Sequence, residues 1–248
     1  MSTRQSEYDL YYWPGIQGRG EFVRLVLEDA GASYRDVARE PESKGGGVGA
    51  MTKFLRGGEK GMLPFAPPFL VHGDLVIAQS ANVCAYVAAR HGLVPKDEAS
   101  RAQALEVQLT IADCVAEVHD VHHPIASSLY YEDQKPESLR RARCFVGERI
   151  PKFLGWLERI LERGDGDHLI GSEHSYADLS AFQLVEGFAY AFPKALGRVG
   201  PTIPRLLALR ARVAARPRIE SYLASPRRLP FNTQGIFRHY PELDVEER

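Results

Sequence analysis

Residues 66–92 read APPFLVHGDLVIAQSANVCAYVAARHG, and this stretch decides the fold. Two short apolar runs, residues 69–71 and 75–77, flank the tripeptide His-Gly-Asp. This pattern predicts a β-hairpin with a tight turn. Ser80 then stands where a helix N-cap is expected, and the spacing of apolar residues predicts a helix over 81–91 that ends at Gly92. A hairpin followed directly by a helix is typical of a mixed α/β domain.

The preceding segment extends the same domain toward the N-terminus. Residues 8–13, YDLYYW, predict an aromatic-rich strand that stops at Pro14-Gly15. Residues 21–30 change to helical spacing, with apolar side chains on one side and charged ones on the other, and Gly31 is the expected left-handed C-cap. Residues 34–37 predict a short second strand. The order strand, helix, strand, irregular segment, hairpin and helix makes a small α/β unit of about eighty residues.

The irregular segment, residues 41–68, contains three consecutive glycines at 45–47. A phosphate-binding loop is disfavoured, because the Lys-Ser/Thr ending is missing and no predicted strand leads directly into the glycines. A mobile surface loop near a functional site is the favoured interpretation.

Beyond residue 98 the patterns predict helices and no strand. Long amphipathic patterns cover residues 99–123 and 137–163, and Pro151 is expected to kink or split the second. Ser175-Tyr176-Ala177-Asp178 resembles a capping box that begins a helix over 179–192. Shorter helices are expected over 201–215 and 219–223. The sequence therefore predicts an α/β domain over 1–93 and an all-helical domain over 98–248.

Composition narrows the functional classes. Apolar residues make up 44% of the 248 residues, which excludes an intrinsically disordered chain. The formal net charge is −1, so the protein has no overall electrostatic attraction for nucleic acid or an anionic membrane. The three cysteines, Cys84, Cys114 and Cys144, are too far apart for a CxxC motif or paired zinc ligands and suit a reducing cytosol. No window is long and apolar enough to cross a membrane, so we expect a cytoplasmic protein without membrane or nucleic-acid partners.

Four separated features carry a family resemblance. They are Tyr12-Trp13 followed by Gly18-Arg19-Gly20-Glu21, Ala66-Pro67-Pro68-Phe69, Gln79-Ser80, and the Ser175-x-x-Asp178 cap. In this order they resemble the cytosolic glutathione transferases, specifically the tyrosine-type branch that includes the alpha, mu, pi and sigma classes. The resemblance implies a thioredoxin-like α/β N-terminal domain, an all-α C-terminal domain, and conjugation of glutathione to electrophiles, with peroxide reduction as a possible side activity.

The resemblance implies a catalytic role for Tyr12. Glutathione reacts as a thiolate, and a phenol hydroxyl that donates to sulfur favours the charged form. Arg19 and the start of the following helix would assist. Tyr11 is a competitor because one extra residue separates the tyrosine from the Gly-Arg pair, but strand alternation points Tyr11 to the opposite face.

The resemblance also implies where glutathione binds. Gln79 and Ser80 match the site for the γ-glutamyl carboxylate, and free backbone N–H groups at a helix start suit an anion. Pro68 matches a cis-proline whose preceding residue pairs with the cysteinyl backbone. Here that residue is Pro67, which has no N–H, so only its carbonyl can take part.

For each end of glutathione, more than one residue is a candidate binding partner. By chemistry alone, Lys44, Lys53 or Arg56 could bind the glycyl carboxylate. In related classes a carboxylate from the partner subunit reaches the γ-glutamyl amine, and both Asp113 and Glu117 lie at about that position. A homodimer, packed through the first long helix of the second domain, is therefore expected by resemblance.

The electrophile site is expected at Trp13, Ile16, His122 and Tyr130. His119, Asp120, His122 and His123 form a cluster of metal-ligand types, but polar residues lining the cleft are the favoured interpretation. We therefore expect glutathione as co-substrate and no metal. Seven arginines between Arg205 and Arg228 are interpreted as a solvated helix face or the rim of an acidic-substrate site. The alternative function is non-enzymatic, a glutathione or ligand carrier or an interaction module on the same fold.

Overall fold

The predicted hairpin forms one edge of a four-stranded sheet. The computed structural model describes residues 7–164 and 166–245. The strands are β1 (Tyr8–Tyr11), β2 (Tyr34–Asp36), β3 (Phe69–His72) and β4 (Leu75–Ala78). Their order is β2-β1-β3-β4, with β1 and β2 parallel and the other neighbours antiparallel. The strand predictions are confirmed, with ends shifted by one or two residues.

Side chains alternate between the two faces of this sheet, as a strand requires. Tyr8 and Leu10 belong to the main core of the protein. Tyr11 belongs to a smaller core on the other face, together with Phe69 and Met51. The two side chains that follow one another at the end of β1, Tyr11 and Tyr12, therefore have different surroundings.

In the described part of the N-terminal domain, three α-helices pack with this sheet. They are α1 (Gly20–Ala30), α2 (Gly47–Leu55) and α3 (Ser80–His91). The predicted C-caps of α1 and α3 are confirmed, since Gly31 and Gly92 have left-handed φ angles of 63° and 71°.

Two local predictions are wrong. Residues 41–68 are not irregular throughout, because α2 begins within the glycine run. Glycine has a low helix propensity, but packing of Met51 in the smaller core overrides it. Ser80 is the first helical residue of α3 and not its N-cap. That position belongs to Gln79, whose φ is 71° and whose side chain makes no capping bond.

The second domain is all-helical, as predicted. Its helices are α4 (Glu98–His122), α5 (Lys135–Cys144), α6 (Ile150–Arg163), α7 (Tyr176–Ala191), α8 (Pro193–Val199), α9 (Pro204–Ala214) and α10 (Pro217–Leu223). The expected interruption near Pro151 takes the form of a turn of π-helix over Phe145–Arg149 between α5 and α6, and the proline is the second residue of α6. Helix α8 was not predicted. In the part of the chain that the structure describes, no helix is both long and apolar enough to span a membrane.

Buried ion pairs join the two domains. The charged side of α1 does not face solvent, since Glu21 and Arg24 are fully buried. Arg24 contacts Asp36 at 2.7 Å and Glu21 at 3.2 Å. The second oxygen of the Glu21 carboxylate accepts from Tyr222 and from Arg228, each at 2.7 Å.

Other arginines near the C-terminus pair with the same helix. Arg216 contacts Asp29 at 2.8 Å, and Arg227 contacts Glu28 at 2.5 Å. The interpretation of these arginines as a solvated face or substrate rim is therefore wrong for Arg228, which is 10% exposed, whereas Arg216 and Arg227 stay 34% and 55% exposed while they pair with α1. Their acidic partners lie in the other domain, far away in sequence, so the local charge pattern could not show the pairing.

The C-terminal segment, residues 229–245, packs along the helical domain. Phe237 is buried against α7, and Tyr240 stacks on Tyr131 with ring centroids 4.0 Å apart. The Asp244 carboxylate accepts bonds from the N–H groups of Lys194 and Ala195 and so caps α8. The segment is an integral part of the second domain.

Gly187 in α7 leaves the space that Phe237 fills. A Cβ atom at this position would lie 2.4 Å from the Phe237 ring. We expect Gly187→Ala to destabilise the protein by about 1–3 kcal/mol, because the ring must move out of a packed site. Urea denaturation measures the change. The matched control is Gly197→Ala in α8, where a Cβ meets nothing within 4 Å and should stabilise by up to about 1 kcal/mol. Equal effects of the two substitutions would contradict this packing.

Candidate active site

Tyr12 lies directly after β1 and against the start of α1. Its side chain is 4% exposed, and its hydroxyl accepts a hydrogen bond of 2.9 Å from the backbone N–H of Arg19. The turn before α1 lies so close that a Cβ at Gly18 would be 2.1 Å from the Tyr12 oxygen. Gly18 also has a φ of 45°, so both the conformation and the close approach require glycine.

The Tyr12 hydroxyl is arranged to donate. Burial raises the pKa of Tyr12, against the lowering effects of the Arg19 N–H bond and of the charges on Arg19 and Arg24. The side chain is therefore a neutral phenol at pH 7. Because its oxygen already accepts from Arg19, its own proton is available to a further acceptor.

The side chain of Tyr11 packs in the smaller core. Its ring stacks on Phe69 with centroids 4.6 Å apart and an interplanar angle of 9°, on the face of the sheet opposite the main core. Burial raises the pKa of Tyr11 to about 12. The prediction that Tyr11 and Tyr12 point to opposite faces is confirmed.

A cavity of about 410 Å³ lies between the start of α1, the start of α3 and the side of α4. Its polar lining includes Arg19, Gln79 and Ser80. The Ser80 hydroxyl is buried and has no hydrogen-bond partner among the described residues. A free hydroxyl beside the first N–H groups of a helix makes this end of the cavity suitable for an anion.

The Pro67–Pro68 peptide bond is cis and directly precedes β3. The predicted cis-proline is therefore present at Pro68. Pro67 is half-buried, and its carbonyl is the group that an extended ligand backbone could pair with, since proline has no N–H.

The basic candidates around α2 are not gathered into one site. Lys44 and Arg56 are exposed at opposite ends of the helix. Lys53 is also exposed and forms an ion pair with Glu59.

The two acidic candidates on α4 differ in their surroundings. Glu117 accepts three hydrogen bonds of 2.6–3.2 Å from the Arg149 guanidinium and lies 3.6 Å from Arg141. Asp113, one turn earlier, is exposed. Asp113 is thus the more available carboxylate for a group outside this chain.

The electrophile-site candidates are only partly brought together. Trp13, 41% exposed, and the half-buried Ile16 lie on the loop after Tyr12. Tyr130 is exposed beyond the end of α4. His122 is buried, and its Nε2 bonds to the carbonyl of Ile236 at 2.7 Å, so it anchors the C-terminal segment instead of lying on an open surface.

The histidines at the end of α4 are packed together. The rings of His119, His122 and His123 have centroids 4.8–5.3 Å apart. Burial, with the charge of Arg238 contributing, lowers the pKa of His119 to about 4 and that of His122 to about 3. Both imidazoles are therefore neutral at pH 7.

Sequence reasoning missed the support of the loop after Tyr12. Asn232 in the C-terminal segment donates to the carbonyl of Gly15 at 2.9 Å, and Gln17 donates to the carbonyl of Leu229. Gln17 also accepts from Gln183 of α7 at 2.9 Å. These partners lie more than 160 positions away, and no local pattern marks them.

The second half of the chain matches a known domain family. Residues 119–226 match the family model described as the glutathione S-transferase C-terminal domain. The chain is 27% identical over 236 residues to glutathione S-transferase P of Bos taurus, covering 92% of this chain and 98% of that protein. It is 23% identical over 223 residues to a glutathione S-transferase of Plasmodium falciparum, covering 87% and 94%.

A solved structure shows the same architecture. The solved structure of NaGST-2 superimposes with a TM-score of 0.64 at 21% identity, covering 90% of this chain and 98% of that one. The likeness extends over both domains and supports the thioredoxin-like sheet followed by the helical domain. The chain is therefore similar to glutathione S-transferases over both domains, and residues 119–226 carry the match to their C-terminal domain.

Proposed function

We propose that the protein activates glutathione as a thiolate and conjugates it to electrophiles. The observation that carries this proposal is the Tyr12 hydroxyl, a buried neutral phenol that accepts from the Arg19 N–H and keeps its own proton for donation. The relatives at 23–27% identity are named as glutathione S-transferases, which agrees with the proposal.

The chemical task is to lower the pKa of a thiol. A free thiol has a pKa near 8.5, and a shift of about two units requires roughly 2.7 kcal/mol of preferential stabilisation of the thiolate. A hydrogen bond to a charged group contributes about 1.5–3 kcal/mol. The Tyr12 bond can therefore supply most of the shift, and the positive Arg19 adds to it.

The proposed position of glutathione is supported by polar groups at the cavity and by the cis-proline segment before β3. Its γ-glutamyl carboxylate would bind at Ser80 and the N–H groups at the start of α3, and Gln79 would contact the same end. The Pro67 carbonyl would accept from the cysteinyl N–H. An electrophile held beside Trp13 and Ile16 then meets the thiolate at high effective concentration.

We assign the protein to the tyrosine-type branch and to the cytoplasm. The assignment to this branch rests on Tyr12 as the hydrogen-bond donor to the thiolate. The compartment rests on Cys84, Cys114 and Cys144, which are unpaired, since sparse free thiols suit a reducing environment.

We further propose a homodimer that packs through α4. Leu105 and Leu109 expose apolar side chains there, 38% and 51% respectively. They line the same cavity as Ser80, so a second copy covering them would lie beside the glutathione site. Sedimentation of a monomer at micromolar concentration would contradict this assembly.

Asp113 would then reach the γ-glutamyl amine in the partner subunit. We expect Asp113→Asn to raise KM for glutathione by about tenfold with a smaller change in kcat, because one charge-assisted hydrogen bond is worth about 1.5 kcal/mol. Glu117→Gln is the comparison, and its main cost should be thermal stability through loss of the Arg149 pair. A larger KM effect for Glu117→Gln would reverse this assignment.

The activity is tested by mixing the purified protein with glutathione and 1-chloro-2,4-dinitrobenzene. The thiolate should displace chloride and give the dinitrophenyl thioether faster than the uncatalysed reaction. Binding of glutathione, measured by calorimetry, without any acceleration would favour the carrier alternative. Absence of both binding and acceleration would contradict every glutathione-dependent function.

A further inference from the structure

A second cluster of reactive side chains lies at the start of α7, outside the proposed glutathione site. Atoms of His168, His174 and Asp178 that could ligate a metal lie within 4.8 Å of one another. Nδ1 of His168 is 3.9 Å and Nδ1 of His174 is 3.7 Å from Oδ2 of Asp178. Among residues 7–164 and 166–245, no other three His, Cys, Asp or Glu side chains form a group with ligand atoms this close.

Asp178 and His174 are oriented by further contacts. The Asp178 carboxylate accepts from the N–H groups of Leu169 and Ser175, at 2.9 and 2.7 Å. His174 is 90% buried, and its Nε2 faces the Asp29 carboxylate at 3.1 Å. The structure shows no hydrogen bond between these two atoms, but a carboxylate beside one nitrogen of a histidine whose other nitrogen faces the candidate ligands resembles the outer-shell arrangement common at metal sites.

The distances between the candidate ligand atoms fit a shared ion better than direct hydrogen bonds between the side chains. Separations of 3.7 and 3.9 Å are too long for hydrogen bonds. Two ligands of a tetrahedral ion at 2.0–2.1 Å lie about 3.3 Å apart, which rotation of the imidazole rings would allow. A cavity of about 200 Å³ lined by the three side chains provides room for the ion and water.

The two arginines that line this cavity are neutralised by other groups. Arg216 pairs with Asp29 at 2.8 Å. Arg212 contacts the Asp167 carboxylate at 3.3 Å and donates to the Asp167 carbonyl at 2.6 Å. The carboxylates of Asp29, Asp167 and Asp178 thus outnumber the arginines, and the cluster can hold a cation.

We propose that His168, His174 and Asp178 form a binding site for one Zn²⁺ ion, with water as the remaining ligand. Two imidazoles and one carboxylate suit zinc and neighbouring transition metals, and not Mg²⁺ or Ca²⁺, which prefer oxygen ligands. The role would be structural. The ion would fix the loop before α7 to that helix and, through His174 and Asp29, to α1 of the other domain.

The site is tested with full-length protein that has been treated with EDTA and dialysed. Calorimetric titration with ZnCl₂ should show one binding site per chain at this cluster. The thermal unfolding temperature should rise as Zn²⁺ is added, because the ion binds the folded protein. His168→Gln is the diagnostic variant, because this side chain is 26% exposed and its loss leaves the helix cap intact. We expect it to weaken Zn²⁺ binding at this site by at least tenfold. Mg²⁺ should produce no shift.

His119→Gln is the matched control, since the histidines at the end of α4 are the competing metal-binding group. Zinc affinity and the thermal shift that persist in His119→Gln and are lost in His168→Gln support the site. Binding that is lost in His119→Gln and unchanged in His168→Gln assigns the metal to α4 and overturns the proposal. Absence of Zn²⁺ binding to the unsubstituted protein overturns it as well.

Discussion

Replacing Tyr12 with phenylalanine is expected to lower kcat for glutathione conjugation about 10- to 100-fold at pH 7. The substitution removes the only atom that donates from this side chain and leaves the ring in place. One hydrogen bond to a charged group is worth about 1.5–3 kcal/mol, which corresponds to a rise of about one to two units in the pKa of the bound thiol. The measurement is the steady-state rate with 1-chloro-2,4-dinitrobenzene as a function of glutathione concentration.

Tyr11→Phe is the matched control for this experiment. The same hydroxyl is removed one residue earlier, from a ring that stacks on Phe69 on the other face of the sheet. We expect kcat and KM within about twofold of the unsubstituted protein. A loss of activity in Tyr11→Phe with normal activity in Tyr12→Phe would exchange the roles of the two tyrosines.

Replacing Arg24 with methionine is expected to destabilise the protein by about 3–5 kcal/mol. Arg24 is fully buried and contacts both Glu21 and Asp36, so its removal leaves the fully buried Glu21 carboxylate with less compensation. Glu21 also receives bonds from Tyr222 and Arg228 of the second domain. The loss should therefore weaken the contact between the domains as well as α1. Urea denaturation followed by circular dichroism measures the free energy of unfolding.

Arg35→Met provides the comparison on the same sheet edge. Arg35 is about one-third exposed and pairs with Glu40 at 2.8 Å, so solvent screens the interaction and its loss should cost at most about 1 kcal/mol. Equal destabilisation by the two substitutions would show that the buried network contributes no more than an ordinary surface pair.

Much of the fold was predictable because its signals are local. The strand alternation around β1 separated Tyr11 from Tyr12, the hairpin turn marked β3 and β4, and Gly31 marked the end of α1. The Ser175-x-x-Asp178 capping box also formed as predicted, with both reciprocal bonds present.

What could not be predicted depends on contacts between distant parts of the chain. The charged side of α1 is buried because Arg216, Arg227 and Arg228 reach it from the C-terminus. Helix α2 forms in a glycine-rich stretch because Met51 packs beneath the sheet. The Zn²⁺ candidates were not singled out, since His168 and His174 follow no metal-ligand spacing and Asp178 was already explained as a cap.

The central claim is that Tyr12 stabilises the glutathione thiolate, and the ultraviolet absorbance of the thiolate tests it most directly. Titration of the protein–glutathione complex from pH 5 to pH 9 should give an apparent thiol pKa about two units below the free value near 8.5. In Tyr12→Phe that pKa should return by one to two units toward the free value, while Tyr11→Phe should match the unsubstituted protein. A bound thiol with the same depressed pKa in Tyr12→Phe as in the unsubstituted protein would contradict the claim.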